Sequence, residues 1–150
     1  MIKFGRPVSA DVDTRLPHLV TALSSDPRID AVWLFGSRAR QEADALSDVD
    51  LAVLARPDLD PDLLWRAELD WTGLAVLVLG TDEVAVQVLN RLPVALREPI
   101  LRDAKLLSSR APEIAADFVA CTLKAYLDLA PYLDRYDRDL FQQAAAGTLR

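Results

Sequence analysis

The sequence predicts an α/β domain: a small mixed sheet flanked by helices, with further helices at the C-terminal end. Three observations carry that expectation. Two short, nearly continuous apolar runs, "AVWLFG" (Ala31 to Gly36) and "DVDLAVLA" (Asp48 to Ala55), have the length and turn boundaries of buried strands. A polar, helix-forming stretch, "RARQEADA", separates them, and the order strand, helix, strand belongs to a mixed sheet covered by helices. Apolar residues at helical spacing of three and four recur on both sides of this unit.

Taken in order, Ser9 or Asp11 is placed to cap a first helix over Val12 to Ser25, in which Leu16, Leu19, Val20 and Leu23 share one side. Asp26-Pro27 stops it, and the two strands and their polar connector follow. Asp60-Pro61 then makes a helix start, with Asp60 as cap and Pro61 in the first helical position. From there "DLLWRAELDWTGLAVLVLG" reads as one helix ending at Gly80, a glycine stop. A second reading turns "LAVLVLG" into a strand that reverses at Gly80-Thr81 into "EVAVQVL". Gly73 keeps that hairpin open, because glycine costs a helix interior about 1 kcal/mol; the helix is the preferred reading. "VAVQVL" (Val84 to Leu89) is a third strand, followed by a short helix kinked or ended by Pro99 and a small edge strand, "KLLSS". Pro112 opens a helix through Leu129, and Pro131 opens another towards Ala146. The first of these has an apolar face of Ile114, Phe118, Cys121 (or Val119 and Thr122), Ala125 and Leu129. The whole, residues 1–150, reads as one domain.

Composition narrows the function. With 17 Lys and Arg against 23 Asp and Glu, the formal net charge is −6, and no run of basic residues occurs. A protein that grips a nucleic-acid backbone presents a basic face, so nucleic acid is not the expected partner. A small phosphate compound brought in with metal ions, or a basic protein, fits better. No apolar run is long enough to span a bilayer, so no membrane partner is expected. The N-terminal "MIKFGRPVSADVD" has no apolar signal core. Cys121 is alone, which excludes an internal disulfide and a cysteine metal cage. The expected compartment is the cytoplasm. His18, the single histidine, lies outside every motif; Trp33, Trp65 and Trp71 read as core or interface bulk.

The chemistry concentrates in "LFGSRARQEADALSDVDLAVL", Leu34 to Leu54. Gly36 ends a strand and Ser37 begins a turn into a helix, so backbone can approach a ligand closely and N–H groups face an anion. The Ser37 hydroxyl adds a donor, and Arg38 and Arg40 add charge suited to phosphate. Asp48 and Asp50, two apart on a strand, point to one face. Two carboxylates that close need a cation between them, and Mg²⁺ takes oxygen ligands from one or two carboxylates plus substrate phosphates. The two halves together describe a nucleotidyl-transfer site.

The spacing G-S-x10-D-x-D resembles the signature of the polymerase-beta-like nucleotidyltransferases. "GSRAR…SDVDLAVL" is most similar to their smallest members, the minimal nucleotidyltransferase (MNT) proteins. "VQVLNRLPVALREPILRDAKLL" (Val86 to Leu107) and "AYLDLAPYL" (Ala125 to Leu133) extend the likeness. The resemblance implies a polymerase-beta-like nucleotidyltransferase fold and Mg²⁺-dependent transfer of AMP from ATP to a protein hydroxyl. The implied partner is a HEPN-type toxin whose antitoxin this chain would be; homo-oligomers are also compatible with it. Gly36 and Ser37 would hold nucleotide phosphate, and Asp48 and Asp50 would bind Mg²⁺.

Alignment on "LNRLP" puts Ala85 where the family carries a third carboxylate. Asp82 or Glu83 would replace it only if the strand register shifted. Otherwise a base comes from the substrate or partner, or the chain is a catalytically weakened relative that neutralises its partner by binding and masking it. Gln41 stands where the family commonly has glycine, and is read as tolerated within a helix.

Overall fold

The computed structural model describes residues 11–43 and 47–147. Ser9 and the segment 44–46 lie outside the described residues. Helix α1 (Val12–Ser24) starts from Asp11, whose carbonyl, rather than its side chain, takes the first backbone N–H groups. Strands β1 (Ile29–Phe35) and β2 (Val49–Ala55) form where the two apolar runs lie, joined through a single helical turn, α2 (Gly36–Ala39). Among the described residues of the polar connector, only its start is helical. Gln41, at φ 58, falls in a turn beyond that helix and not within it.

Helix α3 (Pro61–Leu79) settles the ambiguous segment. The Asp60 carboxylate accepts from Asp62 N–H at 2.9 Å, Pro61 occupies the first turn, and Gly80 closes the helix in the left-handed conformation at φ 68. Leu64, Ala67, Trp71, Ala75 and Leu79 recur at three- and four-residue spacing and are all buried. The hairpin reading also fails topologically. Strand β3 (Val84–Val88) pairs parallel to β2, and parallel neighbours need a crossover, which α3 supplies.

After β3, a 3₁₀ turn (Leu89–Arg91) leads into α4 (Val94–Arg102), which accommodates Pro99, and then to the edge strand β4 (Lys105–Ser109). The sheet order is β3-β2-β1-β4, with β1 antiparallel to both neighbours. Helix α5 (Pro112–Ala145) is one continuous helix, so Pro131 interrupts nothing. Proline there removes the N–H that would reach the Leu127 carbonyl. Both residues are solvent-exposed, so water can serve that acceptor.

Strand alternation divides the core in two. On one face Leu19 and Leu23 of α1 and Leu64, Trp71 and Leu79 of α3 pack on Val32, Leu51, Val53 and Val86. On the other, Leu101 of α4 and Ala115 and Phe118 of α5 cover Ala31, Trp33, Ala52 and Leu54. No helix among the described residues is long and apolar enough to cross a membrane.

Candidate active site

The site lies where β1 ends beside the start of β2. Phe35, the last residue of β1, pairs with Asp50. Gly36 follows at φ 74, a left-handed conformation that only glycine adopts without strain. Space demands glycine as strictly as the dihedral does. A methyl group on Gly36 would overlap Asp50 Oδ2 and sit 3.3 Å from its Cγ. The glycine–serine bend and one carboxylate thus meet directly, as the motif requires.

Asp48 precedes β2 by one residue, and Val49 between the two acids is fully buried in the α1/α3 core. Anchoring Val49 turns both acids to the opposite face. Asp50 stays half-buried near the start of β2, beyond the part of the sheet that α4 and α5 cover. Burial, and then the charge of Asp48, push its carboxyl above the ordinary carboxylate range, and Arg40 opposes that rise. A cation between the two acids would offset that repulsion.

Both predicted phosphate-binding arginines have acidic partners within the chain. Arg38 turns back into the domain: its Nη1 donates to Asp13 Oδ1 at 2.9 Å and its Nη2 to the Ser47 carbonyl at 3.4 Å. Its side chain is 11% exposed, and its Nε is buried with no acceptor among the described residues. Arg38 therefore braces the first turn of α1 against the loop that leads to Asp48. Arg40 is at the surface, paired with Glu42 at 3.0 Å, and acts on Asp50 through its charge. Asp13 is the residue that sequence reasoning missed. It is 25 positions from Arg38, and no local pattern connects the two.

The β2–β3 register is unshifted: Val49 pairs with Val84 and Asp50 with Ala85. Ala85 consequently occupies the place beside Asp50. Asp82 is exposed ahead of the strand. Glu83 is fully buried; its carbonyl accepts from Val49 N–H at 3.0 Å and its own N–H donates to Thr81 Oγ1 at 3.1 Å. Among the described residues no three His, Cys, Asp or Glu side chains come together as a metal-holding group. The donor set is the pair Asp48 and Asp50, which suits a hard divalent ion that completes its shell with substrate phosphates and water.

Comparison with known proteins gives a consistent picture. The family model described as "Polymerase beta, Nucleotidyltransferase" matches residues 18–113. The fold is similar to a chain of a toxin–antitoxin crystal structure with AMP-PNP, at TM-score 0.69 and 22% identity over 86% of this chain and 98% of that one. It is also similar to a chain in the complex of tri-AMPylated Shewanella oneidensis HEPN toxin with MNT antitoxin, at TM-score 0.64 and 21% identity over 87% and 96%. A chain of the toxin–antitoxin complex MntA-HepT superimposes with TM-score 0.63 and 20% identity over 89% and 99%. No curated protein matches the chain.

Proposed function

The chain belongs to the polymerase beta nucleotidyltransferase family, and on that premise we propose that it transfers AMP from ATP to a hydroxyl of a protein partner, as the antitoxin of a HEPN-type toxin. The observation that carries the reading is the contact of Gly36 with Asp50, with Asp48 two residues before it. Support for the nucleotide comes from the similar structure holding AMP-PNP, and support for the acceptor from the similar complex whose HEPN toxin is AMPylated.

In this reading the Gly36-Ser37 bend receives the triphosphate, with backbone N–H groups of the bend and the Ser37 hydroxyl donating to phosphate oxygens. Asp48 and Asp50 would hold Mg²⁺, which would supply charge neutralisation for the triphosphate and the leaving pyrophosphate. Arg38, clamped to Asp13 and Ser47, fixes the loop that delivers Asp48. The acceptor hydroxyl oxygen bonds to the α-phosphorus and the bond from that phosphorus to the bridging α–β oxygen breaks; pyrophosphate leaves with the electron pair, and the hydroxyl proton passes to a base of the partner or to water, since Ala85 cannot take it.

A second reading rests on Ala85, which can neither ligate a metal nor take a proton beside Asp50. There the chain binds and masks its partner with little or no transfer.

Incubation with labelled ATP, Mg²⁺ and a HEPN-type toxin, such as the product of an adjacent gene, separates the two. Transfer predicts label on the partner, lost by at least about 10²-fold in Asp48→Ala while complex formation persists. Ala85→Asp, placed beside Asp50, should raise the rate, since general-base assistance is typically worth about 10²–10⁴-fold. Absence of label, together with full protection by Asp48→Ala, would establish masking instead.

A further inference from the structure

Three strands meet in one row at the site. Phe35 of β1 pairs with Asp50 of β2, and Asp50 pairs with Ala85 of β3. Two residues along β2, the row is Trp33, Ala52 and Gln87. Trp33 and Ala52 lie in the core under α4 and α5, but that core includes no residue of β3. Val84, Val86 and Val88 are held in the α1/α3 core, which turns Ala85 and Gln87 to the side of Asp50. There both are partly exposed. Gln87 is the one residue of β3 with a hydrogen-bonding side chain. Its amide has no hydrogen-bond partner among the described residues.

We propose that Gln87 is an acceptor-binding residue, whose side-chain amide holds the hydroxyl-bearing segment of the protein substrate over Ala85. The inference rests on the nucleotidyl-transfer reading and adds to it the side from which the acceptor attacks. In phosphoryl transfer the attacking and leaving oxygens stand roughly in line across the phosphorus. In that reading the pyrophosphate leaves towards Gly36-Ser37, at the end of β1, and the α-phosphate faces Asp50 on β2. The sheet order β3-β2-β1-β4 puts β3 on the opposite side of Asp50 from that bend. The line of attack therefore comes in over β3.

With strands about 4.8 Å apart and residues about 3.3 Å apart along each, the Ala85 backbone stands about 5 Å from that of Asp50, and the Gln87 backbone about 8 Å. Ala85 projects only a methyl group and leaves the approach open. Glu83, two residues before it, is fully buried, so Gln87 is the side chain of this strand that can meet what approaches. Its amide oxygen accepts from a hydroxyl or N–H, and its NH₂ group donates to a carbonyl. An amide takes no proton. Gln87 orients the hydroxyl, whose proton still passes to a base of the partner or to water.

Steady-state labelling of the partner protein, with ATP and the partner varied in turn, tests the assignment. Gln87→Leu should raise the KM for the partner by about tenfold, the effect of one lost hydrogen bond, and leave the KM for ATP within about twofold. Its thermal midpoint should match the parent's, because the side chain is partly exposed. Ser37→Ala should do the reverse, raising the KM for ATP and not that for the partner. A readout without turnover comes from the side-chain amide resonances of Gln87 in isotope-labelled protein, assigned by their loss in Gln87→Leu. Addition of the partner should shift them, and ATP with Mg²⁺ alone should not. An unchanged partner KM in Gln87→Leu, or amide resonances that answer to ATP and not to the partner, overturns the assignment and leaves the transfer reading standing. So does retention of configuration at phosphorus with a chiral α-thio ATP, since two successive displacements would free the acceptor from the side opposite the pyrophosphate. A parent chain that neither binds ATP with Mg²⁺ nor labels the partner overturns both.

Discussion

Gly36 and Asp50 form one unit at the scale of the residue. The left-handed φ of 74 admits glycine, and the space beside Asp50 Oδ2 admits nothing larger. Asp50 is held there against its own electrostatics, as its raised pKa records. With that pKa above the unfolded value, the native state holds more protons, so its stability falls as pH rises past about 4. Asp26 behaves in the opposite sense. Its bidentate bond to Arg28 and its bond from Trp71 Nε1 lower it from 3.8 to about 2 against the opposing effect of burial. Its contribution is present above about 4 and lost as pH falls towards 2. Asp50→Asn should therefore raise the thermal midpoint at neutral pH by a few degrees and flatten the decline above pH 4, while removing Mg²⁺-dependent nucleotide affinity. Calorimetry across pH, paired with nucleotide titration, measures both halves of that exchange of stability for function. An Asp50→Asn protein no more stable than the parent would remove the case for a strained carboxylate pair.

At the scale of the element, what the sequence disclosed depended on whether the deciding interaction was local. The ends of α3 were legible because a cap, a proline and a left-handed glycine act within a few residues of one another. The continuity of α5 was hidden, because Pro131 is a strong local stop signal that an exposed helix, with water at hand, overrides. The role of Arg38 was hidden for the opposite reason: its partner Asp13 arrives through the fold and not through the motif. Gln41 is a local misreading with a physical consequence. Its φ of 58 places a side chain in the left-handed region just after α2, a strain of about 1–2 kcal/mol, whereas glycine has none. Glycine also loses more freedom on folding, by about 0.5–1 kcal/mol, so Gln41→Gly should stabilise the chain by up to about 1 kcal/mol. Urea midpoints measured at constant slope decide this, and a loss of stability would mean that the Gln41 side chain makes a contact worth more than the strain.

For the whole molecule, the division of labour between the sheet faces explains why the site was readable and its surroundings were not. The α1/α3 face holds Val49 and so orients Asp48 and Asp50; the α4/α5 face stops short of Asp50 and leaves it open. The alternation that sets this up is present in "DVDLAVLA" itself, whereas the extent of α4 and α5 cover depends on packing that no short stretch encodes. Helix α5 makes its core contacts through Ile114, Ala115, Phe118 and Val119, all near its start. Its later residues include exposed Leu127, Tyr132, Tyr136 and Phe141, a large apolar display for a helix that the core does not require. A chain ending at Ala130 should thus keep its thermal midpoint within a few degrees and match the full chain in any Mg²⁺-dependent ATP affinity measured by titration. If the protein acceptor docks on that display, the same truncation should slow labelling of the acceptor by at least about tenfold, which corresponds to 1.4 kcal/mol of lost association. Unchanged labelling would place the acceptor on another surface. Collapse of the midpoint would show instead that the outer half of α5 holds up the domain, because a helix end that only displays side chains can be removed without disturbing a core 20 Å or so away along its axis.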